Sequence, residues 1–261
     1  MMPHNTFSND LNDRHLAITD GIFAIAMTIL VLEIAVPAVS DISSGAALSE
    51  YLISYLVPAV LIYFISFYLV YNFWETTTIL FSFKKISNTI LLLNMITLAA
   101  VCLIPFGTGF LFEFYNYTEV NILFSLLILA ISLLYILMFA LLIRNNFKDY
   151  FARKDEIKAT ISNELNSYED GIELDNLKLY LKGVTKTVFY LLMTPALTSI
   201  ISILLAFISP GLSMGSFLLV LVLRFIIRMS RGAKDNLDDI ELSEEEKEFV
   251  NNIRNNIYGE E

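Results

Sequence analysis

The sequence predicts an all-α integral membrane protein with six transmembrane helices and both termini in the cytoplasm. The chain is 56% hydrophobic and its mean hydropathy is +0.63. Only 17% of its residues are charged, against about a quarter in soluble domains. A helix needs about 20 apolar residues to cross a bilayer, and the sequence contains six such runs.

The predicted spans follow one another with short connections, except for one longer insert. They lie at residues 17–36, 51–74, 86–112, 122–143, 184–209 and 212–229. Only the pair Pro210-Gly211 separates the last two spans. Proline lacks the N–H that a helix needs, and glycine weakens a helix. We therefore predict two spans there and not one long helix.

The basic residues indicate how the spans are oriented. Lys and Arg near membrane segments favour the cytoplasmic side. With the N-terminus inside, the external segments are 37–50, 113–121 and the turn at Pro210, and none of them contains a basic residue. All 17 Lys and Arg residues then lie on the cytoplasmic side or at the inner end of a span. Both termini are therefore predicted to be cytoplasmic.

Three parts are predicted along the chain. Residues 1–13 form a polar cytoplasmic N-terminus without the features of a cleavable signal peptide. Residues 14–230 form the six-helix membrane domain, and residues 231–261 form an acidic cytoplasmic tail. A cytoplasmic insert at 145–183, rich in Lys, Glu, Asp and Asn, should extend the neighbouring helices, with an interruption at Asp170-Gly171.

The composition argues against several classes of function. A net charge of −10 does not suggest a nucleic-acid partner. Cys102 is the single cysteine, so no intramolecular disulfide can form. The sequence has no nucleophile elbow, phosphate-binding loop or zinc-spaced Cys/His set, and its two histidines are His4 and His15. We predict neither an enzyme nor a tightly bound metal or cofactor.

The first span carries charges that need an explanation. In "DRHLAITDGIFAIAMTILVLEIAVP", Asp20 lies just inside one end, Glu33 lies near the other, and Arg14 precedes them. A charge in a spanning helix normally faces protein or water, so polar groups of neighbouring helices should hold Asp20. Arg14 and Asp20 are about 120° apart around the helix, which favours partners across a helix or subunit boundary. Asp20 could orient the helix or handle ions and protons. Glu33 could attract cations or be simply solvated.

Two stripes run along this helix. At about 100° per residue, four branched aliphatic side chains fall within about 60° of one another: Ile18, Ile25, Ile29 and Leu32. Small residues, which let membrane helices approach closely, form the second stripe: Ala17, Gly21, Ala24, Thr28 and Ala35. Asp20 points about 140° away from Ile25. The spacing places the aliphatic residues on one face, but it leaves open what that face contacts.

Residues in the first three spans carry a resemblance to a known family. The pattern Arg14, Ile18, Thr19, Asp20, followed by an Ile/Leu-rich span, resembles the Arg-x-x-x-Phe-Ser-Asp signature of the lysosomal and prokaryotic potassium channels typified by transmembrane protein 175. The block "LLLNMITLAAVCLIPFGTG" at 91–109 is similar to that family's third helix. Its counterparts there are Asn94, Pro105, Phe106 and Thr108. Trp74 also fits. A histidine expected soon after this tryptophan is replaced by Thr76, Thr77 and Thr78.

The resemblance implies a potassium-selective channel, a homotetramer whose four first helices line one pore. It implies that Ile25 lies nearest the constriction, with Ile29 and Leu32 further outward and the Thr28 hydroxyl close by. A structural network would comprise Arg14, Ile18, Thr19, Asp20, Trp74 and Asn94. The sequence lacks a Thr-Val-Gly-Tyr-Gly filter, so an apolar constriction would have to select potassium. The implied partners are other copies of the chain, membrane lipid and permeant monovalent cations, K⁺ above all.

Two other functions stay open at this point. One is a secondary cation transporter, proton-coupled through Asp20, and the other is a membrane scaffold without transport activity. Transporters often contain inverted repeats and broken helices. Pro58, Pro105 and Pro195 could break helices, but no repeat is evident. The compact single-repeat form favours the plasma membrane of a prokaryote.

Overall fold

The protein was analysed as a computed structural model, which describes residues 4–36, 44–81, 87–161 and 168–231. All regular elements in this part of the chain are helical. They are α1 (His4–Leu32), α2 (Gly45–Tyr51), a π-helical turn (Leu52–Leu56), α3 (Val57–Phe81), α4 (Asn88–Val101), α5 (Leu103–Phe114), α6 (Thr118–Ile161), α7 (Tyr168–Ala206), α8 (Pro210–Gly215) and α9 (Leu218–Arg231). The predicted acidic tail lies outside the described residues from position 232 onward.

Six helical segments are long and apolar enough to cross a membrane, as predicted. They are span 1 (Arg14–Leu32), span 2 (Gly45–Phe81), span 3 (Asn88–Phe114), span 4 (Thr118–Arg144), span 5 (Val188–Ala206) and span 6 (Pro210–Ile227). The predicted separation of the last two is confirmed. Helix α7 ends at Ala206, and Pro210 opens α8, where its missing N–H costs no hydrogen bond.

Two boundaries differ from the prediction. Span 1 ends at Leu32, four residues early, because a proline at position 37 would clash with the carbonyl of Glu33 in a continued helix. Span 2 continues to Phe81 and does not end at residue 74. Here Thr76 donates its hydroxyl hydrogen to the Asn72 carbonyl, so the threonines fit a helix. Glu75 consequently lies inside a span.

The three prolines that could break helices have different effects. Pro105 coincides with a break at Cys102, between α4 and α5. Pro58 lies two residues after the π-helical turn, which ends at Leu56. Pro195 does not interrupt α7. The Leu191 carbonyl, which loses its usual donor at Pro195, accepts a hydrogen bond from the Thr194 hydroxyl at 2.9 Å.

The insert consists of helical extensions, as predicted. Helix α6 continues to Ile161 and α7 begins at Tyr168. The predicted interruption at Asp170-Gly171 is wrong, because α7 runs through it. A glycine costs a helix only about 1 kcal/mol relative to alanine, which is too little to end this element. Residues 162–167 lie outside the described part.

Span 1 packs against spans 2 and 3, and spans 4, 5 and 6 pack beside them. Span 1 buries Phe23, Ala26 and Leu30 in the core. The charged residues at the ends of the described spans differ in sign between the two ends of the bundle. We call one the acidic end, where Glu33, Glu50, Glu113 and Glu119 lie, and the other the basic end, where Arg14, Arg144 and Lys186 lie. That the basic end faces the cytoplasm stays a prediction.

Candidate functional site

The predicted aliphatic stripe lies on the exposed face of span 1. The exposed fractions are 53% for Ile18, 59% for Ile25, 38% for Ile29 and 78% for Leu32. The opposite face, with Phe23 and Leu30, is buried against the neighbouring spans. The stripe is therefore available to a lipid, to another copy of the chain or to a shared axis.

The stripe of small residues is exposed as well. Ala17, Gly21, Ala24, Thr28 and Ala35 all lie on the surface of the single chain. A Cβ added at Gly21 would meet no atom within 4 Å. The small side chains therefore do not serve the packing of span 1 within its own chain. Both predicted stripes are left uncovered.

The Thr28 hydroxyl has a defined orientation. It donates its hydrogen to the carbonyl of Ile25 at 2.9 Å. Because its one donor is used within the helix, the oxygen presents only lone pairs to its surroundings. Exposed Thr28 thus offers an acceptor beside Ile25.

Thr19 and Asn94 join span 1 to span 3. The Asn94 amide Nδ2 donates to Thr19 Oγ1 at 3.1 Å. Both residues are buried, Thr19 at 1% and Asn94 at 0% exposure. A buried amide–hydroxyl contact is specific, since either partner alone would be left without a hydrogen bond. The hydroxyl of Thr19 therefore makes the contact that fixes this part of span 1.

Asp20 and Trp74 join span 1 to span 2. The Trp74 indole Nε1 donates to Asp20 Oδ1 at 2.9 Å. This contact agrees with the expectation that a neighbouring helix holds Asp20, although the residue stays exposed in the single chain. No ion pair joins Arg14 to Asp20, both of which are described. Of the residues in the predicted network, the structure brings Asp20 to Trp74 and Thr19 to Asn94. Arg14 and Ile18 are exposed beside these contacts.

The threonines in place of the expected histidine form hydrogen bonds within their own helix. Thr76, Thr77 and Thr78 donate to the carbonyls four residues earlier in their own helix. Thr77 also hydrogen-bonds the Tyr135 hydroxyl of span 4 at 2.6 Å. Their described bonds thus stabilise span 2 and its packing on span 4.

The acidic end holds contacts that the sequence analysis missed. After span 1 ends, the backbone of Ala35 is fixed by two tyrosines of span 2. Tyr51 donates to the Ala35 carbonyl at 2.6 Å, and the Ala35 N–H donates to the Tyr55 oxygen at 3.3 Å. Tyr55 in turn donates to Glu113 Oε1 at 3.3 Å. An aromatic residue near a span end was the available signal, but spacing alone does not reveal its partners.

Glu33 lies against span 3. A Cβ added at Gly109 would come within 2.5 Å of Glu33 Oε2. The half-buried carboxylate therefore occupies space that only a glycine leaves open at that position. Among the described residues, no group of three or more His, Cys, Asp or Glu could hold a metal ion.

Residue spacing does not reveal one buried charge. Arg224, one of the basic residues predicted at the inner ends of the spans, is 2% exposed and lies 3.4 Å from Glu75 of span 2. Glu75 directly follows Trp74, so a signal existed in the sequence: an acid within an apolar span requires a partner.

Comparison with known proteins bears on the first three spans. Residues 14–105 match the family model of the endosomal/lysosomal potassium channel TMEM175. The resemblance is confirmed. The matched region contains span 1, span 2 and much of span 3, with the exposed stripes and the contacts of Thr19 and Asp20. The matched family is one of ion channels, in agreement with the prediction that the chain is not an enzyme.

A solved structure is similar over most of the chain. It is the crystal structure of a lysosomal potassium-selective channel TMEM175 homolog from Chamaesiphon minutus, with a TM-score of 0.59 and 24% sequence identity. The likeness covers 84% of this chain and 98% of that one. It supports the six-span fold and a multi-pass membrane protein. No curated protein matches the chain.

Proposed function

We propose that this chain forms a potassium-selective channel, in which four copies assemble and their first spans line a central pore. One observation carries the proposal. In the region that matches TMEM175, the aliphatic residues Ile18, Ile25, Ile29 and Leu32 project from the exposed face of span 1. Four copies brought together by that face would enclose a narrow apolar conduit.

Ile25 forms the constriction in this proposal. A ring of branched aliphatic side chains can close a pore by dewetting, and it conducts only when it is wide enough to hold water. Selectivity then follows from dehydration, because K⁺ gives up part of its hydration shell more easily than Na⁺. Ile29 and Leu32 continue the apolar lining toward the acidic end.

Thr28 compensates part of the dehydration cost. Its hydroxyl hydrogen is bonded to the Ile25 carbonyl, so its lone pairs are free to face a cation. Alkali cations are coordinated by the lone pairs of oxygen atoms, as in carbonyl-lined filters. A ring of such oxygens next to an apolar ring would favour a cation over an anion.

The charge distribution favours cation entry. Glu33, Glu50, Glu113 and Glu119 lie at the acidic end, and the connecting segments 37–50 and 113–121 contain no Lys or Arg. An opening lined by charges of one sign raises the local concentration of counter-ions. With the basic end in the cytoplasm, K⁺ would meet this acidic entrance from outside, in the plasma membrane of a prokaryote.

The polar contacts of span 1 keep the stripe pointed at the axis. Thr19–Asn94 and Asp20–Trp74 hold two consecutive residues of span 1 to two different spans. Consecutive helical residues differ by about 100°, so two such contacts restrict rotation of the helix. Asp20 then serves as an orienting residue.

The test is reconstitution of the purified protein in lipid and single-channel recording in a Na⁺/K⁺ gradient. We expect discrete currents whose reversal potential lies near the potassium potential. Ile25→Asn should raise sodium permeability and move the reversal potential toward zero. Ile200→Asn is the matched control, because Ile200 is similarly exposed on span 5 and should leave selectivity unchanged.

Three results would contradict the proposal. An unchanged reversal potential in Ile25→Asn removes Ile25 from the constriction. A saturating flux that follows a proton gradient, without single-channel steps, favours the transporter in which Asp20 carries the coupling proton. A protein that moves no ion at all would be a scaffold.

A further inference from the structure

Arg224 is a buried charge that the proposed pore does not use. It lies three residues before span 6 ends at Ile227 and is 2% exposed. Arginine is seldom fully buried unless it is paired. A charge inside a membrane span is costly and normally marks a functional contact. The partners of Arg224 therefore need an explanation.

Arg224 contacts two residues of span 2. Its Nη2 lies 3.4 Å from Glu75 Oε2, and its Nη1 donates to the Asn72 carbonyl at 3.4 Å. Asn72 and Glu75 are three residues apart and thus share one face of the helix. Arg224 Nε and Nη2 form no hydrogen bond with the described residues. The guanidinium is consequently held to span 2 mainly by charge.

The neighbouring residue on span 2 contacts the proposed pore helix. Trp74 precedes Glu75 and donates its indole hydrogen to Asp20 of span 1 at 2.9 Å. Side chains of adjacent residues point about 100° apart on a helix, so one turn of span 2 reaches span 6 on one side and span 1 on the other. A displacement of the backbone at Glu75 must also displace Trp74, because both belong to the same turn.

We propose that Arg224 is a positioning residue for the pore. Its ion pair with Glu75 transmits the position of the basic end of span 6, through Trp74 and Asp20, to span 1. The inference rests on the proposed function only in naming span 1 as the pore lining. The mechanical link from span 6 to span 1 stands on the contacts themselves.

Loss of Arg224 should move the turn of span 2 that carries Trp74. Without Arg224, the half-buried Glu75 carboxylate would lose a buried cation 3.4 Å away, and breaking such a pair strongly favours rearrangement or hydration of the remaining charge. The side chains of Ile25 and Thr28 are unaltered, so a pore that opens should keep its ion preference. We therefore expect an effect on opening and not on ion preference.

The single tryptophan of the chain allows a test that needs no ion current. Trp74 is the only tryptophan, so intrinsic fluorescence of the full-length protein reports on its indole. Asp20→Asn weakens the indole contact directly and defines the expected direction of the emission shift. Arg224→Met should shift the emission the same way. Arg144→Met, which removes an exposed arginine at the same end of the bundle, should not.

A double-mutant cycle distinguishes two ways in which Arg224 could change Trp74 emission. One is a change of the Trp74–Asp20 contact, and the other is a direct electrostatic effect of the guanidinium on the indole. If Arg224 acts through the Trp74–Asp20 bond, adding Arg224→Met to Asp20→Asn should cause no further shift, because coupled sites are non-additive. The charge-swapped variant Glu75→Arg/Arg224→Glu should restore the wild-type emission. Additive shifts, or no shift in Arg224→Met, would overturn the proposal. If Arg224→Met does not fold, the neutral pair Glu75→Gln/Arg224→Met takes its place.

Single-channel recording provides the second readout. Arg224→Met should change the open probability at least about fivefold, the lower end of typical coupling between sites, at an unchanged reversal potential. An unchanged open probability in a conducting protein would contradict the inference. If the wild type conducts no ions, the proposed function fails, whereas the fluorescence cycle still decides whether span 6 is linked to span 1.

Discussion

The contacts that hold Thr19 and Asp20 of span 1 differ in chemistry from the junction of the last three spans, and the two sets lie toward opposite ends of the bundle. Toward the basic end, span 1 is tied by an amide, a carboxylate and an indole, in the contacts Thr19–Asn94 and Asp20–Trp74. Toward the acidic end, spans 4, 5 and 6 meet at three serines. Ser202 Oγ lies 2.7 Å from Ser125 Oγ and 2.8 Å from Ser213 Oγ.

The serine contacts serve the packing of helices, whereas the contacts of span 1 set the orientation of a helix. The serines are neutral, small and completely buried, so their hydroxyls allow close approach of the helices and satisfy one another. The contacts of span 1 involve larger and more directional groups, and one of them, Asp20, stays exposed in the single chain. We infer that the serine junction holds spans 4, 5 and 6 together toward the acidic end and that the contacts of span 1 control its rotation.

The largest effect is expected on assembly, when an exposed alanine is enlarged on span 1 and, for comparison, on span 4. Ala24→Leu enlarges the small stripe of span 1, and Ala130→Leu makes the same change on span 4. Both alanines are exposed in the single chain. If the first spans pack around a shared axis, Ala24→Leu should prevent assembly of the tetramer. Ala130 would then face lipid, so Ala130→Leu should leave assembly unchanged. Native mass spectrometry from detergent measures the subunit number. Equal assembly of the two variants would contradict the packing of span 1 against its copies.

Much of this comparison could be predicted from the sequence, because periodicity and hydropathy act locally. The six spans, the helical insert and the common face of Ile25, Ile29 and Leu32 all follow from residue spacing. The break at Pro210-Gly211 was predictable for the same reason. An aliphatic stripe, however, has the same pattern whether lipid or a pore covers it, so its exposure could not be assigned.

The contacts between distant residues could not be predicted in this way. Arg224 and Glu75 are 149 positions apart in the chain, and Ala35 meets Tyr51 and Tyr55 only after the chain turns. Nothing in the local pattern fixes which helices become neighbours. The end of span 1 at Leu32 was predictable in principle, since Pro37 conflicts with a helical carbonyl at Glu33.

An intermediate effect, on the free energy of unfolding, is expected when a polar residue that joins the spans is replaced by an apolar one. Ser202→Val adds volume to a packed junction and removes its hydroxyl bonds. It should lower the free energy of unfolding by about 2–3 kcal/mol, since overpacking costs about 1–3 kcal/mol and each lost bond adds a fraction of that. The selectivity of the current should be unchanged.

Asn94→Leu is the counterpart in the first half. It should cost only about 1 kcal/mol, the scale of one hydrogen bond in a membrane, yet alter conduction by releasing span 1. Unfolding in denaturing detergent gives the stabilities, with the exposed Ser49→Val as control. If Ser202→Val altered selectivity while Asn94→Leu left the current intact, the two networks would have the opposite roles.

The smallest effect is expected at the acidic end, where Glu33 packs against Gly109. The Cβ of Gly109→Ala would meet Glu33 Oε2 at 2.5 Å, but a carboxylate at the end of a flexible side chain can rotate away. Alanine also favours the helix by about 1 kcal/mol relative to glycine, so stability should change by less than about 1 kcal/mol.

The displaced charge of Glu33 in Gly109→Ala should alter inward conductance at low ionic strength. That change should vanish at about 1 M salt, where screening acts within about 3 Å. Glu33→Gln/Gly109→Ala should show no salt-dependent change relative to Glu33→Gln, because the moving charge is gone. A conductance loss that persists at high salt would mean that Gly109 shapes the pore entrance sterically and that the charge of Glu33 is not responsible.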